Sequence, residues 1–446
     1  MQSVFEEKNI SRAILRMGLP AMLGQLTTLI YNIADTFFVS MTKEPAMIAA
    51  VTLCTPILLI IMSIACIFGM GGSSVIARLL GENKTIYAGK TINFCVYAMI
   101  FSGILTLAIG MLFTNPIAKV AGADLDTMVY TCDYLKYIFI GAPFIMLSNG
   151  FVHLFRSVGL IKESTIGLIL GNMINIILDY ILIIPLQMGT AGAALATSIG
   201  FLCSSIYYIV SMISHERKGN TILVLSPKAF SPDISIFKNV VSIGIPGALI
   251  TVLMSISNIV LNNYIAIYGS DAVAAYGIAY KIDMVPIMLP VGLSQGVTPL
   301  IGYCYGATLK ERLSKTMNIS IIYGLIVGII FTVLFLIFKN NLSALFLHEE
   351  NLILQTGQFL SILCLSAALL SIINMVTSYF QALGKAVPSL SITLLRNAVL
   401  FIPAVMILNK FFGLYGVISA QPVVETILAV ICIVMYLNAK KKLYNN

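Results

Sequence analysis

Three polar residues share one face of an otherwise apolar segment. In residues 171–184, GNMINIILDYILII, the spacing of Asn172, Asn175 and Asp179 places all three on one side of a helix. Asp35 lies in a second apolar segment. Two carboxylates that lie close together resist ionising at the same time, so one keeps a proton unless a cation replaces it, and amide oxygens can complete the coordination of a hard ion. These residues therefore predict a site for H⁺ or Na⁺.

The elements that position these residues are predicted to lie in a membrane. The chain has 446 residues, of which 59% are hydrophobic and only 10% are charged, whereas soluble domains carry about 25% charged residues. Long apolar runs recur along the sequence, and about 20 residues of helix cross a bilayer. We predict an all-α polytopic membrane protein without a cleavable signal peptide, because no small-residue cleavage site follows the first polar residues. The eight scattered cysteines indicate neither a disulfide framework nor a zinc site.

We predict twelve transmembrane helices in two six-helix bundles. A single long polar connection, residues 214–238, is predicted to be a linker between an N-terminal lobe (1–213) and a C-terminal lobe (239–446). The predicted spans, each with a margin of several residues, are 14–39, 48–77, 91–113, 127–155, 164–186, 191–213, 239–268, 272–301, 316–338, 353–382, 391–409 and 414–437.

The two halves are related by an internal repeat. At an offset of about 225 residues, GLPAMLGQLTTLIYNI (18–33) aligns with GIPGALITVLMSISNI (244–259), and FRSVG (155–159) aligns with FQALG (380–384). Because each half contains an even number of spans, both have the same orientation in the membrane. A parallel repeat of two bundles, related by a pseudo-two-fold axis, is typical of secondary transporters.

The repeat shows that Asp35 and Asp179 have no acidic counterparts in the C-terminal half. Residues needed merely to build a bundle would be expected in both halves, and a charge at mid-bilayer costs about 2.5–3.5 kcal/mol on insertion scales. A structural role, in which the Asp residues only clamp helices through hydrogen bonds, stays open. The aligned pairs are Asp35 with Leu261, Asn175 with Leu400, Asp179 with Ala404, and Asn172 with Asn397.

A second set of residues is expected to line a substrate cavity. Two of its members are acids within spans of the C-terminal half, and each has an alternative role. Asp283 could instead have a structural role, and Glu425 could form a buried hydrogen bond. The set is Pro20, Gln25, Asn149, Asn172, Asp283 and Glu425.

The basic residues are distributed unevenly over the predicted loops. With the N-terminus in the cytoplasm, twenty of the 26 Lys and Arg fall on the cytoplasmic side, Arg396 among them, five fall outside, and Lys281 lies within a span. This bias predicts that both termini and the 214–238 loop are cytoplasmic. It also explains the net charge of +8 without a nucleic-acid partner.

Over essentially its whole length, the sequence resembles the multidrug and toxic compound extrusion (MATE) family, especially its DinF-like and MepA-like bacterial branches. The resemblance implies a V-shaped pair of six-helix lobes that alternate access and expel amphipathic, often cationic compounds in exchange for Na⁺ or H⁺. The motifs that carry it are Gly18-Leu-Pro20, Gly244-Ile-Pro246, Ala77-Arg-x-x-Gly81, Arg156-Ser-Val-Gly159, Asn175-Ile-Ile-Leu-Asp179 and Gly189-Thr-Ala-Gly192.

The resemblance also implies roles for individual residues. The cation site of the DinF-like branch is matched by Asp35, Asn175, Asp179 and Thr197, and Pro20 matches a proline associated with bending of the first span. The sequence lacks the acid that NorM-like members carry in the middle of span seven, so the resemblance does not support a cation site in the C-terminal lobe.

We therefore expect a secondary active multidrug efflux transporter, a monomer in the bacterial cytoplasmic membrane that needs no cofactor beyond the coupling ion. The closest alternative is a flippase of lipids or lipid-linked oligosaccharides from the same superfamily. An intramembrane aspartyl protease is more remote, because the Tyr-Asp and Gly-x-Gly-Asp motifs of those enzymes do not occur. An ATP-driven pump would need a nucleotide-binding motif, G-x-x-x-x-G-K-[ST], which is absent.

The charge bias gives a prediction about topology. In a cysteine-free background, a cysteine at Asn220 should react with a membrane-impermeant maleimide only from the cytoplasmic side. A cysteine at Lys119, on the opposite predicted side, is the control and should react from outside intact cells. Labelling of position 220 from outside would overturn the predicted orientation.

Overall fold

The protein is almost entirely helical. The computed structural model describes residues 4–42, 44–219, 222–223, 233–347 and 349–445, and no strand occurs among them. Within these ranges a short π-helical turn, Leu395–Val399, precedes the last helix. The α-helices are α1 (Ile10–Ser40), α2 (Pro45–Gly81), α3 (Thr85–Leu112), α4 (Thr114–Val120), α5 (Met128–Ser157), α6 (Ile161–Ile183), α7 (Gly189–Arg217), α8 (Ile234–Ala266), α9 (Ser270–Gly306), α10 (Lys310–Ala344), α11 (Glu350–Leu363), α12 (Ser366–Ala382), α13 (Ala386–Leu394) and α14 (Phe401–Asn445).

The helices account for the predicted spans. Among the described residues, eleven helical segments are long and apolar enough to cross a membrane, as judged by length and composition. The last of them, Ala386–Tyr444, has 59 residues and contains two predicted spans, which meet at Gly413. The backbone leaves the helical conformation there, with φ 59° and ψ −140°. Gly189, its partner in the repeat, has φ 54° at the start of α7. Both positions need the left-handed conformation that glycine adopts without strain.

The outer surfaces of the helices are apolar. Large side chains such as Phe101 (70% exposed) and Ile60 (54% exposed) would be costly to leave in water. In a bilayer these side chains contact lipid, and helices satisfy every backbone hydrogen bond internally, which is required where no water is present. The predicted all-α fold is confirmed.

The chain folds into two compact units. The first contains Thr27–Ala248, and the second contains Ser3–Leu26 together with Leu249–Asn446. The predicted lobes thus supply most of each unit, while α1 and α8 are both divided between the units within a few residues of their internal prolines, Pro20 and Pro246. Of the predicted linker, 214–238, residues 220–221 and 224–232, including the proposed labelling position Asn220, lie outside the described residues.

Glycines allow α6 and α7 to approach closely. A Cβ atom added at Gly200 would lie 2.8 Å from the carbonyl oxygen of Gly171, and one added at Gly171 would lie 3.0 Å from the carbonyl oxygen of Gly200. Small residues at such contacts let helix backbones pack tightly in membranes, where the hydrophobic effect does not drive helices together.

This contact predicts that Gly200→Ala destabilises the first unit. The added methyl group would meet backbone rather than a flexible side chain, so we expect a loss of about 1–3 kcal/mol in unfolding free energy. Thermal unfolding of the purified protein in detergent would measure this loss of stability. The control is Gly277→Ala, because a Cβ at Gly277 meets nothing within 4 Å; equal stability of the two variants would contradict the close packing.

Candidate cation-binding site

The polar face of α6 is buried. Asn172, Asn175 and Asp179 are 6%, 3% and 0% exposed, whereas Ile177 and Tyr180 on the other side of the helix are 53% and 55% exposed. The helix therefore turns its apolar side outward and its polar side into the first unit. Such an orientation is expected of a membrane helix whose polar residues need partners or a polar cavity.

The close packing of α6 on α7 positions the first pair of predicted residues. A Cβ atom at Gly200 would lie only 3.1 Å from the Cβ of Asn175, so no larger side chain separates the helices at this level. The Nδ2 group of Asn175 donates a hydrogen bond to Oγ1 of Thr197, at 3.2 Å. Thr197 is 2% exposed.

Helix α1 brings the second carboxylate to the same place. The carboxyl groups of Asp35 and Asp179 lie within hydrogen-bonding reach of each other. One turn earlier on α1, the side chain of Tyr31 forms a hydrogen bond with the side chain of Thr197. The four residues predicted for the cation site, Asp35, Asn175, Asp179 and Thr197, thus meet in one cluster formed by α1, α6 and α7.

The oxygens of this cluster lack hydrogen-bond donors. Four buried oxygen atoms of these cluster residues accept no hydrogen bond from the described part of the chain, and they are Asp35 Oδ1, Asn175 Oδ1, Asp179 Oδ1 and Asp179 Oδ2. A buried acceptor without a donor costs about 1–3 kcal/mol, and more if it is charged. A proton or a small cation would satisfy several of these oxygens at once, so the donor set fits either ion.

A small polar cavity adjoins the cluster. It has a volume of about 10 Å³ and is lined by Tyr31, Asn172, Asn175 and Thr197, among others. The Nδ2 group of Asn172 donates to Oγ1 of Thr28 at 3.3 Å. A single water molecule needs about 10–15 Å³ of such space, so the cavity has room for one small ion or one water and not for a drug-sized ligand.

Two tyrosines of the cluster were not singled out from the sequence. Tyr31 precedes Asp35 by four residues, so helical spacing alone could have placed both on one face of α1. Tyr134, on α5, is 4% exposed and lies near Asp35 and Asp179. No sequence spacing points to Tyr134, because its position depends on how α5 packs within the first unit.

The acids predicted in the second unit occupy a different setting. Asp283 on α9 is 0% exposed, its two carboxylate oxygens accept no hydrogen bond from the described residues, and it lies near Glu425 of α14. Oε1 of Glu425 accepts a hydrogen bond from Nη2 of Arg396 at 3.0 Å. The sequence analysis counted Arg396 among the cytoplasmic charges, but the structure pairs it with a carboxylate that is 3% exposed. Glu425 and Arg396 line a cavity of about 90 Å³.

The remaining predicted cavity residues are separate from both cavities. Gln25 donates from Nε2 to Oε1 of Gln295 at 2.9 Å. Asn149 donates from Nδ2 to the backbone carbonyl of Ile145 at 2.8 Å, and Pro20 lies inside α1. Of the six residues predicted to line a substrate cavity, only Asn172 and Glu425 line either of these two cavities.

Comparison with known proteins identifies the family. The MatE family profile matches the chain twice, at residues 20–181 and 246–407, and the two matches repeat at the offset seen in the sequence. The multidrug export protein MepA of Staphylococcus haemolyticus is 31% identical over 439 residues, which cover 98% of this chain and 96% of that protein. MepA of Staphylococcus aureus is 30% identical over 429 residues, which cover 95% of this chain and 93% of that protein.

Solved structures share the fold. The crystal structure of a MATE protein in complex with MaD3S superposes with a TM-score of 0.94 at 24% identity, covering 100% of this chain and 99% of the other. An outward-facing multidrug resistance MATE transporter of the MOP superfamily superposes with a TM-score of 0.93 at 24% identity, covering 99% of this chain and 98% of the other. The chain belongs to the MATE family: it is a multi-pass membrane transporter and not an enzyme, which rules out the protease alternative.

The buried oxygens of the cluster that lack donors lead to a prediction about the stability of the Asp179→Asn variant. Replacing a buried carboxylate that lacks donors with an amide should leave the melting temperature of the purified protein unchanged or raise it. The matched control is Asp124→Asn, outside the spans. There Oδ1 accepts from the hydroxyl and the backbone N–H of Thr127 at 2.6 and 2.9 Å.

These two hydrogen bonds hold the pKa of Asp124 below its usual value. Its charged form therefore stabilises the fold above the pKa of the unfolded chain, and this contribution is lost as pH falls through the lower folded pKa. Asp124→Asn should accordingly lower the melting temperature at pH 7. The difference in melting temperature between this variant and the wild type should disappear in acid. A loss of stability in Asp179→Asn at pH 7 that matches or exceeds that of Asp124→Asn would contradict the description of the cluster.

Proposed function

We propose that the protein is a secondary active multidrug exporter that expels amphipathic, often cationic compounds in exchange for H⁺ or Na⁺. The observation that carries the proposal is the cluster of Asp35 and Asp179 with four buried oxygens that lack donors. Support also comes from the roughly 30% identity to proteins named as multidrug exporters along nearly the full chain.

The coupling ion would act on the position of α1. With both carboxylates ionised, Asp35 and Asp179 repel each other, and with a proton or Na⁺ between them, α1 and α6 can stay together. Pro20 removes one backbone hydrogen bond from α1, fifteen residues before Asp35, which weakens the helix against bending. Binding of the ion can therefore shift the equilibrium between two arrangements of α1, as alternating access requires.

The cavity of the second unit favours drugs over lipid-linked phosphates. A flippase for such lipids has to bind an anionic headgroup, which calls for unpaired cationic side chains. In the cavity lined by Glu425, the guanidinium of Arg396 is already paired with that carboxylate. The described lining therefore offers no unpaired cation to an anionic headgroup.

The remaining parts of the proposal concern the location and the oligomeric state of the protein. The excess of Lys and Arg on one side supports a protein with both termini in the cytoplasm, within the plasma membrane of a bacterium. We propose that it works as a monomer, because the candidate ion site is formed by α1, α6 and α7 of a single chain.

The proposal predicts that Asp35→Asn and Asp179→Asn abolish gradient-driven export, because neither variant can exchange the ion. Purified protein would be reconstituted in liposomes, and uptake of a fluorescent lipophilic cation would be followed under an imposed Na⁺ or pH gradient. Transport should fall to the level of protein-free liposomes in both variants, while the protein stays folded.

The matched control is Glu82→Gln, which removes an acid from an exposed pair with Lys84, 2.7 Å apart. This variant should transport at the wild-type rate. Comparing the two gradients in the wild type would identify the coupling ion. Full export by either Asp variant would show that the residue is not the coupling site.

A further inference from the structure

Two repeat-related stretches at the predicted outer ends of α3 and α10 expose large apolar side chains. We call residues 112–120 the first tip and residues 337–345 the second tip. Six of their side chains are between 49% and 90% exposed. At an offset of 225 residues these six form three aligned pairs, which are Leu112 with Ile337, Phe113 with Phe338, and Val120 with Leu345. Because the same positions are apolar and exposed in both halves, this surface is a feature of the repeat.

Each tip has one packed side and one exposed apolar side. Ala118 and Ser343, which are also an aligned pair, are both 0% exposed. The first tip is interrupted at Phe113, where the backbone leaves the helical conformation (φ −116°, ψ 24°), and it continues as α4, which packs against α5. The second tip forms the end of α10, which packs against α11. Both tips are therefore held by their own unit through one side, and the described residues leave the other side uncovered.

The length of the helices indicates the level of the tips in the membrane. Lys90 and Lys315, an aligned pair, lie near the predicted cytoplasmic ends of α3 and α10, and no charged residue follows either of them for more than 20 positions. A helix rises about 1.5 Å per residue, so Leu112 lies about 33 Å along α3 from Lys90, and Leu345 lies about 45 Å along α10 from Lys315. The hydrocarbon core is only about 30 Å thick. Both tips therefore lie at or beyond the far edge of the core, where the headgroups begin.

The surroundings of the tips indicate that their partner is lipid. An exposed apolar stripe with helical spacing leads to each tip, through Phe101, Leu105 and Ile109 on α3 and through Ile326, Ile330 and Val333 on α10. Lys119 and Lys339 lie within the tips and can extend their ammonium groups to lipid headgroups while their stems follow the apolar surface. A protein partner would cover one such patch. Two tips, one in each half and on the same predicted side of the membrane, instead call for a surface that is present at both.

We propose that the two tips are interfacial anchors, which insert into the boundary between the headgroups and the acyl chains of the outer leaflet. Helical segments with one apolar side lie in this boundary with that side buried by about 5–10 Å. The partner is thus a phospholipid surface, and each anchor holds the outer end of its own helix at a fixed depth. The inference does not rest on the proposed export function.

The sequence contains no tryptophan, so a single introduced tryptophan reports only its own surroundings. The full-length variants Val120→Trp and Leu345→Trp would be reconstituted in phosphatidylcholine bilayers that contain lipids brominated either near the carbonyl group or at the end of the acyl chain. Bromine quenches tryptophan fluorescence at short range. We expect the shallow bromine to quench both variants about twofold more strongly than the deep bromine, because the boundary between headgroups and acyl chains lies near the carbonyl groups.

Two control positions calibrate the depth scale. Phe101→Trp lies midway along α3 and should be quenched more strongly by the deep bromine. Glu216→Trp, at the exposed end of α7, should be quenched by aqueous iodide and by neither lipid. Leu112→Trp and Ile337→Trp repeat the measurement within each tip, so that a folding defect at one position does not decide the result. The melting temperature of every variant is compared with that of the wild type.

Stronger quenching by the shallow bromine at both tips would support the inference. Stronger quenching by the deep bromine would make the tips ordinary parts of the spans, and quenching by iodide alone would place them in water. A blue-shifted emission that neither lipid nor iodide quenches would show that a second copy of the chain covers them. Any of these three results, at either tip, would overturn the inference and leave the export function untouched.

Discussion

Two neighbouring carboxylates, with three buried oxygens that accept no hydrogen bond from the described residues, are the constraint on which the functional interpretation depends. Asp35 and Asp179 lie within reach of each other, and Asp179 has no exposed surface. In such surroundings a pair of negative charges is unstable unless a proton or a cation joins it. The close approach of α6 and α7 at Gly171 and Gly200 builds the rest of the site, because it brings Asn175 to Thr197.

The two copies of the repeat carry their acids in different places. In the first unit the acids lie on α1 and α6, beside a small polar cavity. In the second unit Leu261 and Ala404 extend the apolar core, and the only acid lining the larger cavity is Glu425, paired with Arg396.

Sequence patterns predicted the features that depend on periodicity or on a repeat. The burial of the polar face of α6 follows from the spacing of Asn172, Asn175 and Asp179, and the family profile matches both halves. The pairing of Arg396 with Glu425 could not be predicted, because the two residues are 29 positions apart on segments whose packing is set by tertiary contacts. The interruption at Cys364 between α11 and α12 and the contribution of Tyr134 depend on packing in the same way.

The most direct measurement is the affinity of the purified protein for a lipophilic cation, titrated with Na⁺ at fixed pH and with pH at fixed Na⁺. Coupling between two sites is reciprocal, so an ion that favours drug release must itself be bound more tightly when the drug is absent. Affinity should fall as the coupling ion is added, with a tenfold change corresponding to about 1.4 kcal/mol, and the dependence should be absent in Asp179→Asn. An affinity that is indifferent to both ions would contradict antiport through the Asp35–Asp179 cluster.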